Sequence, residues 1–169
     1  DAAGMPRAVR WAFPGAAPTD LGTLGGPLVA SWGYDVNAGG SIVGWSNTPG
    51  ITTEAVYWAP GAASPTSIHS PALFTFSYAE AISDAETAVG WAGTAAGPAH
   101  GFRWSRLGGM VDLGSPVGDC YAYDVNASVW IVATCGFLGT TVAYVRHPVS
   151  GAWLNLNDLI PHGCGIVLE

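Results

Sequence analysis

The chain has 169 residues, a formal charge of -7 and no lysine, its five basic residues all being arginine. So few cations argue against a phosphate-binding face, and nucleic acid is not an expected partner. A hydrophobic share of 49% with only 10% charged residues excludes a disordered chain, 24 glycines without a three-residue period exclude collagen, and the lack of a long unbroken apolar run gives no membrane span.

The first short apolar run ends at Ala8-Val9-Arg10-Trp11, and Asp20-Leu21-Gly22-Thr23-Leu24-Gly25-Gly26 follows it. Next come Tyr34-Asp35-Val36-Asn37-Ala38-Gly39-Gly40 and Ser41-Ile42-Val43-Gly44-Trp45-Ser46. Each run is short, rich in β-branched and aromatic residues, and bounded by Gly, Pro, Asn or Ser, which reads as a strand. The order then restarts. Ala55-Val56-Tyr57-Trp58 repeats the first run, Ser67-Ile68-His69-Ser70 loosely repeats the second, and residues 80–92 repeat the third and fourth. A further copy begins at Gly101-Phe102-Arg103-Trp104, continues through Asp112-Leu113-Gly114 and reaches Tyr123-Asp124-Val125-Asn126. A weak fourth start is Ala143-Tyr144-Val145-Arg146.

Markers in constant order, about 40–50 residues apart, define approximate units 5–51, 52–97, 98–141 and an incomplete 142–169. No helix-period apolar pattern of useful length occurs. The expected fold is all-β: tandem four-stranded antiparallel sheets in a partial β-propeller-like array of about three and a half blades. That number does not close an ordinary ring, so self-association or further sequence is an expected partner for the open edges.

The markers His100-Gly101-Phe102-Arg103-Trp104, Asp20 through Gly26, and Asp35-Val36-Asn37 with Ile42-Val43-Gly44-Trp45-Ser46 resemble the HAF-repeat family of bacterial extracellular proteins. The likeness covers nearly the whole chain. It departs where Ser67-Ile68-His69 replaces Asp-Leu-Gly and where Ala133-Thr134 replaces Gly-Trp. The resemblance implies an all-β repeat protein at the cell surface or outside the cell, and brings no catalytic residues with it. The chain opens at Asp1 without the charged-then-apolar pattern of a secretion leader.

The third and fourth runs of each unit read as a hairpin, with Asn and Gly supplying the turn. A two-residue loop at 127–128 sets Asn126 opposite Val129, and therefore Cys120 opposite Cys135 and Ser31 opposite Ser46. Directly opposed positions lie within disulfide reach. A Cys120–Cys135 disulfide is therefore expected, with Cys164 the odd thiol. A bulge in the loop would break that register, and the alternative is three free, buried cysteines.

Trp11, Trp58 and Trp104 recur in phase, as do Trp45 and Trp91, and read as packing between blades rather than a sugar-binding stripe. Trp32, Trp130 and Trp153 fall outside that phase and are the ligand candidates. Asp20, Asp35, Asp112, Asp124, Asp158 and His100 are the groups from which a catalytic site could be built. Asp20 with Asp112, and Asp35 with Asp124, are repeat equivalents, which points to turn-forming and amide-capping roles. His100 shares its slot with Arg7 and Glu54. His69, His100, His147 and His162 show no metal-ligand spacing, and the Asp35-Val36-Asn37 run lacks the ligands of a calcium loop, so no metal or cofactor is expected. The reading is a secreted non-catalytic repeat module for surface, matrix or glycan binding. The alternative is a glycoside hydrolase with clustered carboxylates.

Overall fold

The computed structural model describes residues 4–137 and 139–161; His162 and Cys164 lie outside the described residues. Among the described residues, fourteen strands make four antiparallel sheets. A two-stranded sheet holds β1 (Val9–Arg10) and β2 (Thr19–Asp20). The next sheet holds β3 (Ser31–Val36), β4 (Ile42–Asn47), β5 (Thr53–Trp58) and β6 (Thr66–Ser67), in that order. It is followed by β7 (Phe76–Ile82), β8 (Thr87–Gly93), β9 (His100–Ser105) and β10 (Gly109–Gly114). The last sheet is β11 (Asp119–Val125), β12 (Ile131–Phe137), β13 (Thr140–Arg146) and β14 (Trp153–Asn155). A 3-10 turn at Leu156–Leu159 follows, capped by the Asn155 side chain.

The expected partial propeller-like array of four-stranded sheets is thus present. The sheets are cut two strands later than the sequence units, because the tryptophan-bearing run is the third strand of a sheet and not its first. A period carries no origin: hydrogen bonding decides where a sheet starts. The two-stranded half-sheet accordingly stands before the first full one.

The sheets stack in chain order. The first strands of successive sheets (β3, β7, β11) lie against one another, which makes them the inner strands of a fan. A separate apolar core fills each gap. Ala8, Leu21, Ile42, Val56 and Trp58 join the half-sheet to the first full sheet. Val43, Tyr57, Phe74, Ile82 and Phe102 join the first to the second. Val89, Leu113, Val125, Ile131 and the two cysteines join the second to the third. Small domains rely on one core; repeat stacks rely on a series of such neighbour interfaces.

The inner hairpins share one construction. Asn37, Ser83 and Asn126 each begin a turn in which Gly40, Glu86 or Val129 adopts positive φ (83°, 59° and 63°). These turns hold three residues, not the two assumed from sequence. Next to the turn, Val125 opposes Ile131 and Asp124 opposes Val132, one step out of the expected register. A bulge between Ala122 and Asp124 then restores it, so that Cys120 opposes Cys135. The same pair of shifts sets Ser31 opposite Ser46 and Ser77 opposite Ala92. Cys120 and Cys135 form a disulfide, and both are fully buried. The expected pairing holds because the longer turn and the bulge cancel. Among the described residues, no helix is long and apolar enough to cross a membrane.

Candidate functional site

A ribbon of aromatic rings crosses the inner strands. Trp32 stacks on its cross-strand partner Trp45, with ring centroids 4.7 Å apart. Trp45 meets Tyr78 of the next sheet edge-on at 5.8 Å. Tyr78 stacks on its own partner Trp91 at 4.5 Å, and Trp91 meets Tyr121 of the third sheet at 5.0 Å. Trp32, Tyr78 and Tyr121 occupy one repeat slot, as do Trp45 and Trp91. Period-two alternation puts a cross-strand pair on one face, where stacked and edge-on rings gain beyond their area burial. Phe76 closes the ribbon's flank against Tyr78 and Trp91.

The bulge residues Tyr34, Glu80 and Tyr123 give the ribbon a polar border. The Trp45 indole donates to the Tyr34 hydroxyl at 3.0 Å, and the Trp91 indole donates to a Glu80 carboxylate oxygen at 2.8 Å. Burial raises the Tyr121 phenol above its ordinary value, with Asp119 and Tyr123 adding to the effect. Tyr123 is raised by burial and by the Glu80 charge. Both therefore remain phenol donors. Trp32, Tyr34 and Tyr123 are exposed.

The candidate carboxylates do not converge. Asp20 accepts from the Gly22 amide at 2.8 Å and Asp112 from the Gly114 amide at 2.7 Å, in matching turns. Each also pairs across to the preceding strand: Arg7 Nε lies 3.3 Å from Asp20, and His100 Nδ1 lies 3.0 Å from Asp112. Ser67 donates to Glu54 at 2.6 Å in the equivalent position. Arg7, Glu54 and His100 thus share a cross-strand slot as well as a sequence slot. Asp35 accepts from its own Val36 amide and reaches the next sheet to accept from Ile82 N–H, each at 2.8 Å. Asp124 accepts from Val125 N–H at 2.7 Å. Asp158 lies exposed in the first turn of the 3-10 segment. Among the described residues no group of three or more His, Cys, Asp or Glu could hold a metal ion.

Trp130 is half-buried and meets the His147 ring edge-on at 4.8 Å. Trp153 packs against the core between the second and third sheets, and its indole donates to the Leu113 carbonyl at 3.2 Å. Of the three ligand candidates, Trp32 is the one placed on the ribbon.

Sequence reasoning passed over Glu86. Its carboxylate accepts from Asn37 Nδ2 at 2.8 Å, Ser41 Oγ at 2.7 Å and Tyr57 Oη at 2.8 Å, all from the preceding sheet. Arg106 donates to Tyr57 at 2.6 Å, and its guanidinium lies 5.2 Å from the Tyr57 ring centroid. Asp84 adds a 2.8 Å bond from the Ala38 amide. Burial works to raise the Glu86 carboxyl, but the bonds from Ser41, Asn37 and Tyr57, helped by Arg106, hold it below its ordinary value. This latch joins two sheets, and its sign with pH is fixed. A carboxylate depressed in the folded state contributes stability above the ordinary value of 4.5 and loses it as pH falls through the folded value. Glu86→Gln is expected to lower stability at pH 7 by about 1 kcal/mol, reduced by solvent screening. Urea midpoints of the two proteins should converge below pH 4.5; a constant gap across the range would refute the assignment.

His69 Nδ1 lies 2.8 Å from Ser77 Oγ, with Glu54 nearby. The set looks like a nucleophile with its base. However, Ser77 is fully buried and its hydroxyl already accepts from Ala55 N–H at 2.9 Å. Burial lowers the His69 pKa, against the opposing pull of Glu54 and the Phe74 carbonyl. The arrangement ties two sheets together, as Ser31 does with Ala8 N–H at 3.1 Å. No family model, no curated protein and no solved structure matches the chain.

Proposed function

We propose that this chain is a non-catalytic repeat module of the bacterial cell exterior, of the HAF-repeat kind, that binds glycan chains along its inner strands. The observation that carries the reading is the aromatic ribbon from Trp32 to Tyr121, bordered by the hydroxyls of Tyr34 and Tyr123 and the Glu80 carboxylate. Sugar rings have apolar faces and polar rims, and a row of rings with such a border matches both. The buried disulfide supports an oxidising compartment. A glycoside hydrolase needs two carboxyl groups flanking one bond. Asp20, Asp35, Asp112 and Asp124 are instead each engaged by backbone amides.

The test is retention on a panel of immobilised polysaccharides, followed by calorimetry on any that bind. Trp32→Ala is expected to weaken binding about tenfold. Trp153→Ala should leave affinity unchanged, since its indole is held in the core. Failure to retain any glycan, or equal affinity after Trp32→Ala, would remove the glycan reading.

A further inference from the structure

Among the described residues, the half-sheet is bare on the side where every full sheet is covered. Its strand β1 is the equivalent of β5, β9 and β13, each of which lies between two strands. Among the described residues strand β1 pairs with β2 alone, which leaves its other edge open. Beside that edge is an open cleft of about 710 Å³, lined among others by Val9, Trp11, Leu21, Tyr34, Val36 and Ile42.

Exposure within the repeat shows what belongs there. Val36, Ile82 and Val125 occupy one slot on the inner strands. Ile82 and Val125 are each 5% exposed beneath the inner strands of the preceding sheet, whereas Val36 is 59% exposed. Trp58 is fully buried, yet its equivalent Trp11 is 58% exposed. Trp45 packs on Tyr78 and Trp91 packs on Tyr121 from the preceding sheet; Trp32, in the same slot, meets Trp45 of its own sheet alone among the described rings. At Val36 and Trp32 the missing object is the same, the first two strands of a sheet; Trp11 lacks in addition the outer strands of a preceding sheet, which flank Trp58 through Ala8 and Leu21.

We propose that this cleft is the seat of a β-hairpin bearing the first two strands of a further repeat, which adds to the free edge of β1. The occupant's second strand is specified by register. Ile42-Val43-Gly44 opposes Trp58, Tyr57 and Val56, and Ala88-Val89-Gly90 opposes Trp104, Arg103 and Phe102. An apolar residue, valine and glycine therefore face Trp11, Arg10 and Val9. Glycine fits closely where the strand passes the bulge in the first two full sheets, because a Cβ on Gly44 or Gly90 would fall onto the carbonyl oxygen of Trp32 or Tyr78; the third sheet has Ala133 in that slot. The half-sheet matches the outer half of the second full sheet in Arg10 with Arg103, Trp11 with Trp104 and Asp20 with Asp112. The β7–β8 hairpin is therefore the best surrogate for the occupant. Its Trp91 would extend the ribbon onto Trp32. Strand addition draws affinity from main-chain bonds and specificity from alternate side chains.

The probe is a fluorescein-labelled synthetic peptide of residues 75–94, titrated into the whole chain with anisotropy as the readout. Saturable binding is expected, with slowed hydrogen exchange at the amides of Val9 and Trp11, which point to the open edge, and not at Arg10, which faces β2. Val36→Asp should weaken it about tenfold or more, by placing a charge in the apolar seat. Because Val36 and Trp11 are exposed, Val36→Asp and Trp11→Ala leave the fold intact, and Trp11→Ala provides an independent loss of affinity. No saturable binding at millimolar peptide, or binding equal to that of a scrambled peptide, would overturn the proposal. So would a concentration-dependent dimer abolished by Val36→Asp, which would make a second copy the occupant.

Discussion

Trp58→Ala is expected to cost about 4 kcal/mol of folding stability, while Trp11→Ala costs well under about 1 kcal/mol. The two residues share a repeat slot and a local sequence, so propensity does not separate them. Trp58 is fully buried between the half-sheet and the first full sheet, against Ala8, Leu21, Ile42 and Val56. Its indole donates to the Leu21 carbonyl at 2.6 Å. Truncation opens a cavity and leaves that carbonyl without its donor, two losses that add. Trp11 is exposed, with no preceding sheet to reach among the described residues, and has little to lose. Urea unfolding with unchanged slope measures both. Equal effects would mean that the half-sheet does not dock as described.

The second large effect belongs to the disulfide. Replacing both Cys120 and Cys135 with serine is expected to lower stability by about 3 kcal/mol, the chain-entropy cost of opening a loop of this length. The separation is 15 residues. Serine is an informative replacement, because the first full sheet carries Ser31 and Ser46 at the same opposed position, both fully buried. The variant should therefore fold with its register intact. Ser31 and Ser46 satisfy their hydroxyls on backbone groups of the preceding half-sheet and its links. Reductant should lower the wild-type midpoint by a similar amount and leave the double variant unmoved. An unchanged midpoint in the double variant would show that the bridge adds nothing to the fold.

The strands were legible because each is a short β-branched or aromatic run closed by turn residues, and the markers recur in fixed order. The start of each sheet was not legible, since the same four strands can be read from any of them. The hairpin turn was hidden for a local reason. Left-handed backbone costs an ordinary residue of order 1 kcal/mol, so glycine advertises it. Only Gly40 does so; Glu86 and Val129 occupy the same position without the signal. Glu86 was overlooked with its turn, although its carboxylate bonds explain why a non-glycine is held there. Trp32 stands outside the tryptophan phase because its repeat equivalents are tyrosines. Counting Tyr78 and Tyr121 as its equivalents would have revealed an aromatic slot. The caps formed by Asp20, Asp35, Asp112 and Asp124 were readable from their recurrence, because a residue that returns with the unit usually serves the unit.

The compensated hairpin has a consequence for how such a chain can change over time. From Ser31 to Ser46, from Ser77 to Ala92 and from Cys120 to Cys135 the distance along the chain is identical, while the connections from β5 to β6 and from β9 to β10 differ in length. One residue lost or gained inside a hairpin would turn every side chain beyond it to the opposite face. The outer connections carry no such penalty. The inner hairpins therefore behave as interchangeable cassettes of rigid length, and the drift in repeat period lies outside them, in the connections around the outer strands and between sheets, where loops can lengthen, shorten and diversify without disturbing the fan.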